Sequence, residues 1–215
     1  MLGLQNLLLK VKKSYVLSLL LVLLLLSGAF ITLKQCINNQ KKDASLINIA
    51  GQQRMLSQKL SLSVYRYKES LLTGENISSY ANKIITIVNQ LKSNHHQLIN
   101  GNEPLLLSIR GLFFQAADPL HQRLMQFSDN AIKIAQTKNF ADVNFYIQLE
   151  MQEHQVDALL ERLDSIVTTM EAKSIKDIAD IEKAIMILWL LTLLFLAFFT
   201  YFAFKRISTI VSESY

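Results

Sequence analysis

Gly51 and Arg54 stand one helical turn apart in the run LINIAGQQRMLSQKL, Leu46 to Leu60, and together they could seat a small anion. A glycine inside a helix costs about 1 kcal/mol relative to alanine. That cost is reasonable where another backbone or a ligand must approach closely. Arginine brings a permanent charge and a planar fork of donors that suits carboxylates, phosphates and other oxyanions. Counted from Ile47, Gly51 follows at i+4, Arg54 at i+7 and Gln58 at i+11, so the four share one stripe of a helix. The candidate ligand-binding residues are therefore Ile47, Gly51, Arg54 and Gln58. The same stripe also fits a packing glycine beside an arginine in an ordinary interhelical ion pair.

Other side chains capable of chemistry are scattered. His95 and His96 are adjacent, so on a helix they point about 100° apart, poor geometry for one metal. His121 and His154 lie alone on separate predicted helices. No nucleophile motif, glycine-rich phosphate loop or carboxylate pair stands out, so neither enzyme activity nor a cofactor or metal is expected within these residues. The single Cys36 excludes an internal disulfide. It falls where a symmetric dimer could bring two copies together.

The elements that must position the stripe are long helices. The chain has 215 residues, 51% of them hydrophobic, with only six glycines and two prolines. Residues 15–33 and 184–204 carry no charge and are each long enough to cross a hydrocarbon core of about 30 Å. Ser27-Gly28-Ala29 resembles a signal cleavage site, but the apolar run continues through Phe30, Ile31 and Leu33, which points to an uncleaved anchor. Lys10, Lys12 and Lys13 precede the first segment, and Lys205 and Arg206 follow the second. Such basic flanks place residues 1–14 and 205–215 in the cytoplasm and residues 34–183 outside, in the periplasm of a Gram-negative cell. The outer domain carries 17 basic and 16 acidic side chains. It has no basic stripe with interleaved aromatics, so nucleic acid is not an expected partner.

Within residues 34–183 the pattern predicts helices over 38–72, 77–98 and 105–115. A further helix runs to Gln136, opened by Asp118 as cap and Pro119 at the first position. The last begins near Ala141 and meets no breaker before the second span. Leu149, Val156, Leu163 and Met170 repeat every seven residues, joined by Leu159 and Ile166, and read as a core seam. Leu46, Leu56, Leu60 and Val64 do the same for the first helix. The expected fold is all-α: an antiparallel four-helix bundle between two transmembrane helices that continue its first and last helices.

The string Ile47-Asn48-Ile49-Ala50-Gly51-Gln52-Gln53-Arg54-Met55-Leu56-Ser57-Gln58 closely resembles the signature of PilJ-type sensor domains from type IV pilus chemoreceptors, roughly N-x-A-G-x-Q-R-M-L-S-Q. Its A-G-x-x-R-M core also resembles, more distantly, the nitrate and nitrite sensor histidine kinases. A looser match runs from Leu159 to Val167. The resemblance covers about residues 43–170. It implies a homodimer in which Arg54 and Gly51 from both subunits hold a nitrate-like anion on the dimer axis. Gln52 and Gln53 depart from the kinase pattern, as do Ser57 and Gln58, which leaves the identity of the anion open.

Two function classes follow. One is a membrane-bound sensor that binds a small anionic ligand and signals to a cytoplasmic partner or output domain. The other is a membrane-anchored helical interaction protein without a small-molecule ligand. The chain runs only nine residues past Arg206, so it is either the sensor part of a longer protein or a stand-alone subunit.

Overall fold

Few glycines and prolines leave few places to break a helix. In the computed structural model, which describes residues 2–114 and 119–212, six helices and no strand are present among the described residues. Helix α1 runs from Leu2 to Thr73 without interruption. It stops where expected: Gly74 takes a left-handed φ of 78°, and its N–H donates to the Ser70 carbonyl at 2.9 Å. Helix α2 spans Ile77–Asn100 and α3 spans Pro104–Phe114, with proline at the first helical position. Helix α4, Leu120–Gln136, has Pro119 at its cap, one position earlier than the sequence pattern placed it. Asp118, the expected cap, lies outside the described residues. Helix α5 covers Phe140–Glu150, opened by the Asn139 side chain accepting from the Ala141 N–H at 2.9 Å.

The last helix departs from expectation. A break at Met151–Gln152 divides it into α5 and α6, the latter spanning Glu153–Ser212. The cause is local. The Gln152 N–H donates to Gln155 Oε1 at 3.1 Å, half of a capping box, and Gln155 Nε2 donates to the Leu149 carbonyl at 2.9 Å. The break re-phases the helix. Leu149, expected in the core, is 48% exposed, and Met151 is fully buried instead. Val156, Leu159, Leu163, Ile166 and Met170 are buried as expected.

The chain forms two compact units. One comprises residues 41–175 and holds the main core, with Leu60, Val64, Leu91, Leu124, Phe127 and Leu163 among its buried side chains. Within it, α1 residues meet partners whose numbers fall as theirs rise. Asp43 accepts from Ser174 and Arg54 pairs with Asp164; Tyr65 donates to the Met151 carbonyl and Lys68 to Asn144. The other unit comprises residues 1–40 and 176–215. Its leucines and phenylalanines are largely exposed, among them Leu17, Leu24, Leu194 and Phe204. By length and composition, α1 and α6 each contain a segment able to cross a membrane. Cys36, also in this unit, is only 8% exposed, so it is a poor probe of contact between two copies.

Candidate functional site

Helix α1 carries two seams at the 3,4 spacing of a packed helix. The inner seam, Ala50, Gln53, Ser57, Leu60, Val64 and Tyr67, is buried in the core of residues 41–175. The outer seam runs through Gly51, Met55, Gln58, Leu62, Tyr65 and Glu69. Apart from the half-buried Gly51, all of these side chains are exposed. Large apolar side chains on that outer seam have no hydrophobic reason to face water.

The four site residues lie along the border of this outer seam. Ile47 is half-buried against the core, and Gln58 is exposed. A Cβ built on Gly51 meets nothing within 4 Å, so no packing inside the chain requires glycine there. Arg54 Nη1 lies 3.2 Å from Asp164 Oδ1 on α6, with the two side chains 48% and 53% exposed. The ordinary ion pair is thus present, whereas a packing role for the glycine within one copy is not. Sequence reasoning did not find Asp164 as the partner. Its position beside the buried Leu163 on the core stripe was the available signal.

The histidines are rearranged more than the pattern allowed. His121 does not stand alone, because its Nδ1 lies 2.8 Å from Nε2 of His95, with the rings stacked and Phe113 edge-on to His95. His95 is buried, and its Nδ1 has no partner. The cheapest tautomer has His95 Nε2–H donating, which leaves a bare lone pair at Nδ1 rather than an unbonded N–H. Burial, then the imidazoles of His121 and His96, push the His95 pKa down to about 4. His95 is therefore neutral, a structural histidine. Among the described residues, no three His, Cys, Asp or Glu side chains converge as a metal site would require.

Comparison with known proteins adds the family. The profile described as type IV pili methyl-accepting chemotaxis transducer N-term, PilJ, matches residues 36–144. Searches of curated proteins and of solved structures gave no match. The matched segment takes in the Gly51–Arg54 motif and the buried residues of α2 and α4 that share a core with α1. With two apolar helices able to cross a membrane, it makes the chain a membrane signal-transduction module. The chain belongs to the PilJ family of chemotaxis transducer domains.

Proposed function

We propose that this chain is a ligand-sensing receptor module of the bacterial inner membrane. In this reading residues 15–33 and 184–204 span the bilayer, both ends are cytoplasmic, and residues 34–183 form an antiparallel four-helix bundle in the periplasm. The falling partner numbers between α1 and α5–α6 support the bundle. Two copies meet along the outer seam of α1, and a small anion, nitrate or another oxyanion, sits between their Arg54 side chains. No catalytic step is assigned to these residues. The signal passes to a cytoplasmic partner or output domain.

The observation that carries this reading is a half-exposed Arg54 beside open space at Gly51 on an exposed apolar seam. Two guanidiniums brought together repel unless an anion bridges them, so an anion favours the paired arrangement. The Arg54–Asp164 pair is exposed and worth at most about 1 kcal/mol, so an anion can take its place. Asp164 belongs to α6, which is helical through Ser212. Exchange of Asp164 for the anion removes one tie between α1 and α6, and a small slide of one helix on the other then travels along the helix.

Disulfide cross-linking tests the coupling. Leu62→Cys in a Cys36→Ser background should form a dimer on oxidation in membranes, with a yield that changes when nitrate is added. Absence of the dimer removes the proposed interface, and a yield indifferent to every small anion tested removes the switch. For orientation, periplasmic reporter fusions should be active after residue 100 and silent after residue 210. The opposite pattern would overturn the topology.

A further inference from the structure

Helix α5 gives way to α6 in a stretch that has every local reason to stay helical. Residues Leu149-Glu150-Met151-Gln152-Glu153 are strong helix formers, with no glycine, proline or β-branched side chain among them. Two side chains hold the break. Gln155 Oε1 accepts from the Gln152 N–H at 3.1 Å, and Gln155 Nε2 donates to the Leu149 carbonyl at 2.9 Å. From α1, the Tyr65 hydroxyl donates to the Met151 carbonyl at 3.0 Å. In a continuous helix the backbone four residues away would serve each of these three groups. The break also leaves α5 apolar on two faces. Val143, Ile147 and Met151 recur every four residues and are buried, whereas Phe145 and Leu149, also four apart, are exposed. At about 100° per residue, an uninterrupted helix would put Leu149 about 20° from Val156 and Met151 about 140° from it. Leu149 would thereby join the buried repeat of Val156, Leu163 and Met170.

We propose that this junction is a switch between two helical registers. In the broken register Met151 is buried and Leu149 faces out. In the joined register α5 and α6 are one helix, Leu149 and Phe145 turn inward and Met151 turns out. Burial favours the broken register, which covers three apolar side chains of α5. The joined one covers two and brings Gln152 into line with Leu159, seven residues on. Backbone propensity favours the joined register. The three side-chain bonds are the latch between these opposed effects, and each shifts the balance roughly 2- to 12-fold. Tyr65 lies on the exposed seam of α1, so the latch can be reached from that face. The switch stands whether or not an anion binds at Arg54.

Labelling of a cysteine at the junction tests it in the full chain in detergent. The parent carries Cys36→Ser and Met151→Cys, and its reaction with a maleimide is slow because the broken register buries that position. Gln155→Ala and, separately, Tyr65→Phe should speed the reaction, by roughly 2- to 12-fold for each hydrogen bond removed. Tyr65 is exposed, so its substitution tests the latch without touching the core. Adding Glu153→Pro should return both rates to that of the parent. Glu153 is the first residue of α6, where proline is well tolerated. Inside a joined helix the same proline would remove a hydrogen bond and clash with the preceding turn. Rates indifferent to Gln155→Ala and Tyr65→Phe would overturn the proposal. So would faster labelling that persists with Glu153→Pro, which would mean that the segment unfolds rather than joins.

Discussion

The two seams of α1 share a spacing and a helix but not an environment. Leu60 on the inner seam is fully buried, while Leu62 on the outer seam, two residues on, is 52% exposed. The inner seam lies in one core with buried residues of α2, α4 and α6. The outer seam repeats the same 3,4 spacing, but apart from the Tyr65 hydroxyl on the Met151 carbonyl its Met55, Leu62 and Tyr65 stand exposed. Periodicity alone therefore does not tell a core face from a docking face: both are amphipathic stripes, and only the tertiary partners separate them.

The largest effect expected from breaking this contrast is at Leu60. Leu60→Ala should cost about 2–5 kcal/mol, the usual range for a large-to-small change in a packed core. Leu62→Ala should leave folding within about 0.5 kcal/mol and weaken self-association instead. Denaturation curves and sedimentation of the two variants check the pair of outcomes. Equal destabilisation by both would erase the distinction between the seams.

Acid should act next, through His95. His95 has its pKa lowered from 6.5 to about 4 in the folded chain, so the unfolded chain binds more protons between those values. Its contribution to stability is complete above about pH 6.5 and is lost as pH falls toward 4. The slope is at most about 1.4 kcal/mol per pH unit. Melting temperature against pH should show this fall in the wild type and a flatter profile in His95→Phe. An unchanged profile would mean that His95 is not the neutral buried group described.

Much of this was legible in the chain itself. Thr73-Gly74 announced the end of α1, and Leu163, Ile166 and Met170 announced the core of α6, because both signals are local: a left-handed glycine and a seven-residue repeat. The break at Met151 was missed because it is made by a side chain, Gln155 reaching back to Gln152, without glycine or proline to mark it. The Arg54–Gly51 stripe was visible, but Asp164 and the His95–His121 contact were not. Those pairings join residues 110 and 26 positions apart, and no helical period relates them.

The smallest effect on stability is expected at the outer face. Gly51→Ala adds a Cβ that meets nothing within 4 Å, so it should raise stability by up to about 1 kcal/mol through helix propensity. It should nevertheless weaken anion binding if the anion lies against that glycine. A packing glycine would give the reverse, lost stability with affinity kept.

Calorimetric titration of nitrate, nitrite and other small anions into this chain in detergent, comparing wild type with Arg54→Ala and Arg54→Lys, decides whether Arg54 holds an anion. Saturable binding by the wild type and its loss in both variants are expected, since a lysine ammonium lacks the planar fork. Melts should stay within about 1 kcal/mol of the wild type, because the Asp164 pair is exposed. Undiminished anion affinity in Arg54→Ala, or no anion bound by the wild type, would contradict an anion site at Arg54.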